Sequence, residues 1–139
     1  MWQPMIAVMI IIILNGVEER LYTIVAPLVM SPSVLRQNRG AAFKTSPKHT
    51  WVVAVEEKGE CIGFLPCLPK KGVVEINNYH VNNRDKEVFK TMLSAALKNF
   101  KGSPIEVITQ RVDESALKEC GFKPVFEWVN YVRYFNTNK

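Results

Sequence analysis

The segment VVEINNYHVNNRDKEVFKTMLSAALKNF, Val73 to Phe100, joins a strand to a helix through a short polar loop. Alternating apolar and polar residues predict a strand over Val73–Val81. Apolar residues recur at helical spacing over Arg84–Phe100, which predicts an amphipathic helix. A βα unit that leads to another strand favours parallel pairing with a right-handed crossover.

Upstream of this unit, the sequence predicts one strand and two helices. The apolar run PMIAVMIIIIL predicts a buried strand over Met5–Leu14, because it is too short to span a bilayer and rich in β-branched residues. It also lacks the basic start and the cleavage site of a signal peptide. Helical spacing follows over Val17–Met30, where Pro27 is expected to kink or end the helix. A second short helix begins at Ser33 and is expected to stop at Gly40.

A β-hairpin is predicted between the helices and the βα unit. Its strands are Thr50–Glu56 and Cys61–Leu65, and Gly59 lies in the turn. Pro66 and Pro69 follow at once, and proline has no N–H to donate to a ladder. We therefore expect the second strand to end early or to bulge.

Downstream, the sequence predicts a strand over Ile105–Gln110, a short helix and a closing strand. Asp113 is placed to cap that helix and Gly121 to end it. The run KPVFEWVNYVRYF, Lys123–Phe135, predicts one long strand rich in aromatic and β-branched residues. The resulting fold class is α/β (α+β): a single domain over residues 1–139 with a mixed, mostly antiparallel central sheet flanked by helices on both faces.

The composition is that of an ordinary globular domain. The chain has 139 residues, of which 47% are hydrophobic and 22% charged, and its net charge is +5. The lysines are scattered and no nucleic-acid motif is recognisable, which argues against nucleic-acid binding. The three cysteines form no C-x-x-C pair, so no metal site is expected. Isolated cysteines suggest a reducing compartment, and we expect a cytoplasmic protein without membrane association.

Three segments together resemble the GNAT superfamily of N-acetyltransferases. The first is the hairpin WVVAVEEKGECIGFLPC, and the second is the strand VVEINNYHV leading into the helix RDKEVFKTMLSAALKNF. The third is DESALKECGFKPVFEWVNYVRY, which is similar to the late helix and closing strand of that family. The resemblance covers nearly the whole chain and implies the GNAT fold.

The resemblance also implies where acetyl-CoA would bind. In this family the fourth strand splays from the fifth, the pantetheine arm enters the notch, and the pyrophosphate meets the start of the next helix, where free N–H groups favour an anion. The implied cofactor-binding residues are Val81, Asn82, Asn83, Arg84, Asp85 and Lys86.

The loop departs from the family pattern R/Q-x-x-G-x-G/A. With the basic position on Arg84, the glycine positions hold Asp85, Glu87 and Phe89, depending on register. Carboxylates repel a pyrophosphate, whereas Arg84 and Lys86 could pair with it. The alternative interpretation is that Asp85 and Glu87 cap the helix and that the two basic residues are solvated.

Two residues are candidate general bases under this resemblance. Glu75 lies mid-strand, where related enzymes sometimes place a base, and His80 lies near the strand end. Each could instead be an ordinary strand residue in contact with solvent. The family's usual tyrosine acid is replaced by Leu117, which cannot donate a proton.

The implied function is transfer of an acetyl group from acetyl-CoA to a small-molecule or protein amine by direct attack. The alternative is a non-catalytic GNAT-fold protein that binds a ligand or another protein, because a fold does not fix a function. If the closing strand lies at a sheet edge, it could pair with a second copy, and a homodimer is therefore possible.

Overall fold

The computed structural model describes residues 9–139, so residues 5–8 of the first predicted strand lie outside the described part. The strands are β1 Met9–Asn15, β2 Thr50–Glu56, β3 Cys61–Lys70, β4 Val73–Ile76, β5 His80–Val81, β6 Ile105–Gln110, β7 Lys123–Glu127 and β8 Tyr131–Asn136. The helices are α1 Glu19–Val29, α2 Pro32–Gln37, α3 Lys86–Asn99 and α4 Glu114–Glu119.

These strands form one mixed sheet in the order β1-β2-β3-β4-β6-β8-β7, and β5 pairs with β3. Only the β4–β6 pair is parallel among the described strand pairs. It is joined by α3, as the crossover rule requires. The predicted mixed, mostly antiparallel sheet is therefore confirmed.

Helices cover both faces of the sheet and bury two apolar clusters. On one face α3 contributes Phe89, Met92 and Leu93, and α4 contributes Leu117, to a core shared with strands β2 to β6 and β8. On the other face α1 packs on β1 and β3 around a smaller cluster that includes Phe64. On this second face α1 therefore covers the half of the sheet built by β1–β3 and does not cover the half built by β4, β6 and β8.

β3 was expected to end early or to bulge at its prolines, and it does neither there: the register shift of the β2–β3 pair lies between Ala54 and Val55, opposite residues 61–63. The strand runs through Pro66 and Pro69 to Lys70. Pro66 tolerates its position because β3 pairs with β5 up to Phe64 and with β4 only from Cys67, which leaves a gap beside Pro66. Pro69 lies beyond the last β2 partner, so one of its edges is open.

The closing segment was expected to be one long strand, and it is a hairpin. β7 and β8 pair in an antiparallel register and are joined by a turn at residues 128–130. β8 lies inside the sheet beside β6, and β7 forms the edge. Pro27 was expected to kink or end the first helix, and α1 ends two residues after it, at Val29.

Candidate functional site

The predicted strand Val73–Val81 is interrupted, and the interruption creates the notch of this fold. Up to Ile76 the chain pairs in parallel with β6, but His80 and Val81 pair with β3 instead. Between them Asn78 adopts a φ of 53°, which asparagine tolerates better than most residues. The side chain of Asn77 accepts a hydrogen bond from the Asn78 amide at 2.8 Å. We call the space between residues 77–81 and residues 108–110 of β6 the notch.

The interruption also reverses which side chains face the core. Simple alternation predicts that Tyr79 and Val81 share a face with Glu75. In the structure Tyr79 and Val81 belong to the same core cluster as Val74 and Ile76. One extra residue in the strand has shifted the pattern, as a bulge does.

Tyr79 fills the interior end of the notch. Its ring stacks on Phe89 of α3 with centroids 4.7 Å apart, and Phe89 stands at one of the family's glycine positions. Its hydroxyl donates to Asp113 Oδ2 at 2.6 Å and lies 2.7 Å from Thr109 Oγ1. Burial and the neighbouring Asp113 carboxylate hold the pKa of Tyr79 well above its ordinary value, so the hydroxyl stays protonated.

Arg84 and two glutamines complete a polar network across the notch. Arg84 Nη1 lies 3.0 Å from Asp113 Oδ2, and its Nη2 donates to Gln37 O and to Gln110 Oε1, each at 3.4 Å. Gln37, the last residue of α2, donates to the carbonyl oxygen of Val81 at 3.2 Å. These side chains therefore connect α2, β5 and the loop before α3 across the notch.

Asp113 was expected to cap α4, and its side chain makes no such hydrogen bond. The carboxylate turns inward because the buried Tyr79 hydroxyl needs an acceptor, and the part-buried Arg84, whose side chain is 31% exposed, pairs with the same carboxylate. Sequence reasoning missed the pairing of Tyr79 with Asp113, since the two residues lie 34 positions apart.

The start of α3 is capped by a carboxylate. Asp85 Oδ1 accepts hydrogen bonds from the amides of Glu87 at 3.0 Å and Val88 at 3.2 Å. Lys86 Nζ is directed to Glu119 of α4 at 2.7 Å. The six residues predicted to bind the cofactor, Val81, Asn82, Asn83, Arg84, Asp85 and Lys86, do lie together at this junction.

These residues do not fit acetyl-CoA in the pose that the family pattern implies. A pyrophosphate needs amide groups that point at it, and two of the first amides of α3 already bond to Asp85. A pantetheine arm needs open strand backbone, and the carbonyl of Val81 already accepts from Gln37. The notch itself contains the Tyr79 side chain.

A second concave surface lies on the half of the sheet that α1 does not cover. It is a cleft of about 590 Å³, which we call the Glu75 cleft. Its lining comprises Glu75, Asn77, Ile108, Trp128, Val129, Asn130, Tyr131 and Arg133. A smaller cleft of about 180 Å³, lined in part by His49, shares Glu75 and Asn77 with it.

Glu75 therefore lies between two clefts. Its side chain is 20% exposed and pairs through Oε2 with Lys70 at 2.8 Å. Burial lowers the pKa of His49, and the negative charge of Glu75 opposes that shift, which places the two groups within electrostatic reach. A carboxylate in this position can accept a hydrogen bond from an amine that enters either cleft.

His80, the other candidate base, is buried at 3% exposure. Its Nε2 lies 2.8 Å from Asn82 Oδ1, and burial lowers the pKa of the imidazole. It is not among the lining residues of the two clefts beside Glu75. The structure therefore does not bring His80 and Glu75 together in one cleft.

The cysteines are unsuited to nucleophilic chemistry. Burial raises the pKa of Cys61 to about 11 and that of Cys67 to about 12, so both remain thiols. Cys120 is half-buried, and burial raises its pKa too.

Within residues 9–139 no group of three or more histidine, cysteine or acidic side chains could hold a metal ion. The helices of the same range include none whose length and apolar content would allow it to span a bilayer.

No protein-family model matches the chain, and no curated protein matches its sequence significantly. Solved structures match its fold. Escherichia coli ElaA has a TM-score of 0.71 at 15% identity, over 90% of this chain and 97% of that one. An acyl-CoA N-acyltransferase from Pseudomonas aeruginosa has a TM-score of 0.67 at 13% identity, over 92% and 99%.

A third match is Campylobacter jejuni N-acetyltransferase PseH, solved in complex with acetyl coenzyme A. Its TM-score is 0.56 at 7% identity, over 91% of this chain and 98% of that one. At such identities the likeness establishes the GNAT fold and leaves the chemistry to be argued from the site.

Proposed function

We propose that this protein is a GNAT-fold binding protein that holds an amine in the Glu75 cleft and carries no acetyl-CoA in its notch. One observation supports this proposal above the others. The notch is crossed by hydrogen bonds among Gln37, Tyr79, Arg84 and Asp113, whereas the cleft beside Glu75 is open.

The cleft suits an amine because it presents an anionic acceptor beside apolar and aromatic walls. Glu75 uses Oε2 for Lys70, which leaves Oε1 for a ligand. Lys70 is itself 47% exposed, and an exposed ion pair of this kind contributes little free energy. An incoming ammonium group can therefore share the carboxylate at small cost.

Hexylamine is a suitable probe for this binding. We expect calorimetric titration to give measurable heat with the unaltered protein, and Glu75→Gln to weaken binding about 10- to 100-fold by removing a charge-assisted hydrogen bond. Glu57→Gln, in the exposed β2–β3 turn, is the matched control and should leave binding unchanged. Equal affinity in the Glu75→Gln variant and the unaltered protein would contradict the proposal.

The second candidate is an acetyl-CoA-dependent N-acetyltransferase. Two observations favour it: a structural neighbour was solved with acetyl coenzyme A, and Glu75 lies beside clefts where an acceptor could bind. This candidate requires the Tyr79 side chain to leave the notch and the amides at the start of α3 to exchange Asp85 for a phosphate. Calorimetric titration with acetyl-CoA and with CoA separates the two candidates.

A further inference from the structure

Arg133 forms the far wall of the Glu75 cleft. It lies on β8, and its side chain is 39% exposed. Its guanidinium carbon lies 5.2 Å from the centre of the Trp128 ring, which holds the planar group in one orientation. A guanidinium fixed in this way is suited to bidentate recognition of a carboxylate.

The guanidinium of Arg133 is incompletely satisfied. Its Nε is buried and has no hydrogen-bond partner among the described residues. The nearest carboxylate oxygen, Glu106 Oε2, is 3.7 Å from Nε, which is beyond hydrogen-bond distance. Arg111 provides a contrast, because it donates to the carbonyl oxygens of Trp128 and Val129 at 2.7 and 3.0 Å. The buried Nε is out of a ligand's reach, but Nη1 and Nη2 of Arg133 make no hydrogen bond with the described residues either, and the side chain is 39% exposed, so these two groups can bind an anionic partner.

The strand register places Glu75 and Arg133 on the same face. Glu75 pairs with Glu106 across β4 and β6, and Arg133 pairs with Ile108 across β6 and β8. Neighbouring strands lie about 4.8 Å apart, and the two residue pairs are offset by two residues, about 6.7 Å, along the strands, so the two charged residues are separated by roughly 12 Å at their backbones. Ile108, an apolar side chain, lies between them on β6.

We propose that the ligand of the Glu75 cleft is a zwitterion with a terminal amine and a terminal carboxylate joined by an apolar chain. The amine bonds to Glu75, the carboxylate bonds to Arg133, and the chain lies across Ile108. This inference rests on the proposed function, because it assumes that the amine end binds at Glu75. The separation of the two charged residues excludes a simple α-amino acid as the best ligand, since its charged groups are adjacent.

The test compares three probes of matched length: hexylamine, hexanoate and ε-aminohexanoate. We expect ε-aminohexanoate to bind the unaltered protein at least about tenfold more tightly than hexylamine. In Arg133→Gln, ε-aminohexanoate should bind no more tightly than hexylamine binds to the same variant. Arg133→Lys should restore part of that advantage, and Arg36→Gln, an exposed arginine on α2, should have no effect.

A length series on the unaltered protein gives a second readout that needs no variant. Affinity should rise from glycine through γ-aminobutyrate to ε-aminohexanoate. If hexylamine binds but ε-aminohexanoate binds no more tightly, the zwitterion inference is overturned and the proposed function stands. If hexylamine does not bind at millimolar concentration, the proposed function fails and this inference fails with it.

Discussion

Tyr79 is the residue that most changes what this fold can do. It lies where a cofactor arm would enter, stacks on Phe89 and shares Asp113 with Arg84. Asp113, which joins Tyr79 to Arg84, lies 34 positions from Tyr79 in the chain. Local pattern reads Tyr79 as a strand residue, and only the bulge at Asn78 turns it toward its partners.

Tyr79→Phe should destabilise the protein by about 1–3 kcal/mol, because it removes the hydroxyl that donates to the buried Asp113. The phenyl ring keeps its stack on Phe89, so the loss reports on the hydrogen bonds alone. Urea unfolding measures the change. Tyr131→Phe is the control, since the Tyr131 hydroxyl makes no hydrogen bond to the described residues, and an equal loss in both variants would refute the assigned role.

His80 should make stability depend on pH. Burial holds the folded pKa below the ordinary 6.5, so the unfolded chain binds the proton more readily. The stability contributed by neutral His80 is therefore present above about pH 6.5 and is lost as pH falls through the folded pKa. His49 acts in the same direction.

We expect the free energy of unfolding to fall as the pH drops below about 6.5, and to fall less steeply in His80→Gln. His49→Gln is the companion variant, because it removes one histidine while keeping the buried His80. Urea unfolding at a series of pH values gives the slopes. Parallel slopes in the unaltered protein and His80→Gln would show that the imidazole is not held neutral by the fold.

Most elements could be predicted because their signals are local. The strand Ile105–Gln110 was predicted with its observed bounds, and α3 lies within the predicted helix Arg84–Phe100. Gly59 and Gly121 adopt positive φ at the predicted turn and helix exit. Periodicity and turn residues sufficed in these places, since no distant contact overrides them.

The wrong predictions involve elements whose bounds depend on neighbours. β3 continues through Pro66 and Pro69 because each of them has one side without a paired strand. The missing proline N–H therefore breaks no hydrogen bond between strands on that side. The closing segment folds back at residues 128–130, so that β8 pairs with β6 on one side and with β7 on the other. A single sequence does not contain that pairing information.

At the start of α3, the local features could be predicted from the sequence and the distant contacts could not. The sequence indicated that Asp85 could cap the helix, and the structure has its carboxylate on two amides. The glycine-poor loop could be noticed from the residues alone. The network that crosses the notch could not, because Gln37 and Asp113 reach it from helices far away in the chain.

The whole molecule combines the GNAT fold with a notch that its own side chains occupy. Solved structures of this fold match it over 90 to 92% of its length, yet at 7 to 15% identity. The edge strand β7 has Lys123, Pro124 and a register shift, which are features that hinder pairing with another strand. A homodimer through this edge stays a prediction, as do the cytoplasmic location and the identity of the amine.

The proposed function requires that the notch does not accept acetyl-CoA. Calorimetric titration of the unaltered protein with acetyl-CoA and with CoA tests this directly. We predict no binding heat at millimolar cofactor, because Asp85 and the Tyr79 network occupy the groups that a pyrophosphate and a pantetheine arm require. Micromolar binding that is weakened by Arg84→Glu would contradict the account and establish the acetyltransferase alternative as the better one.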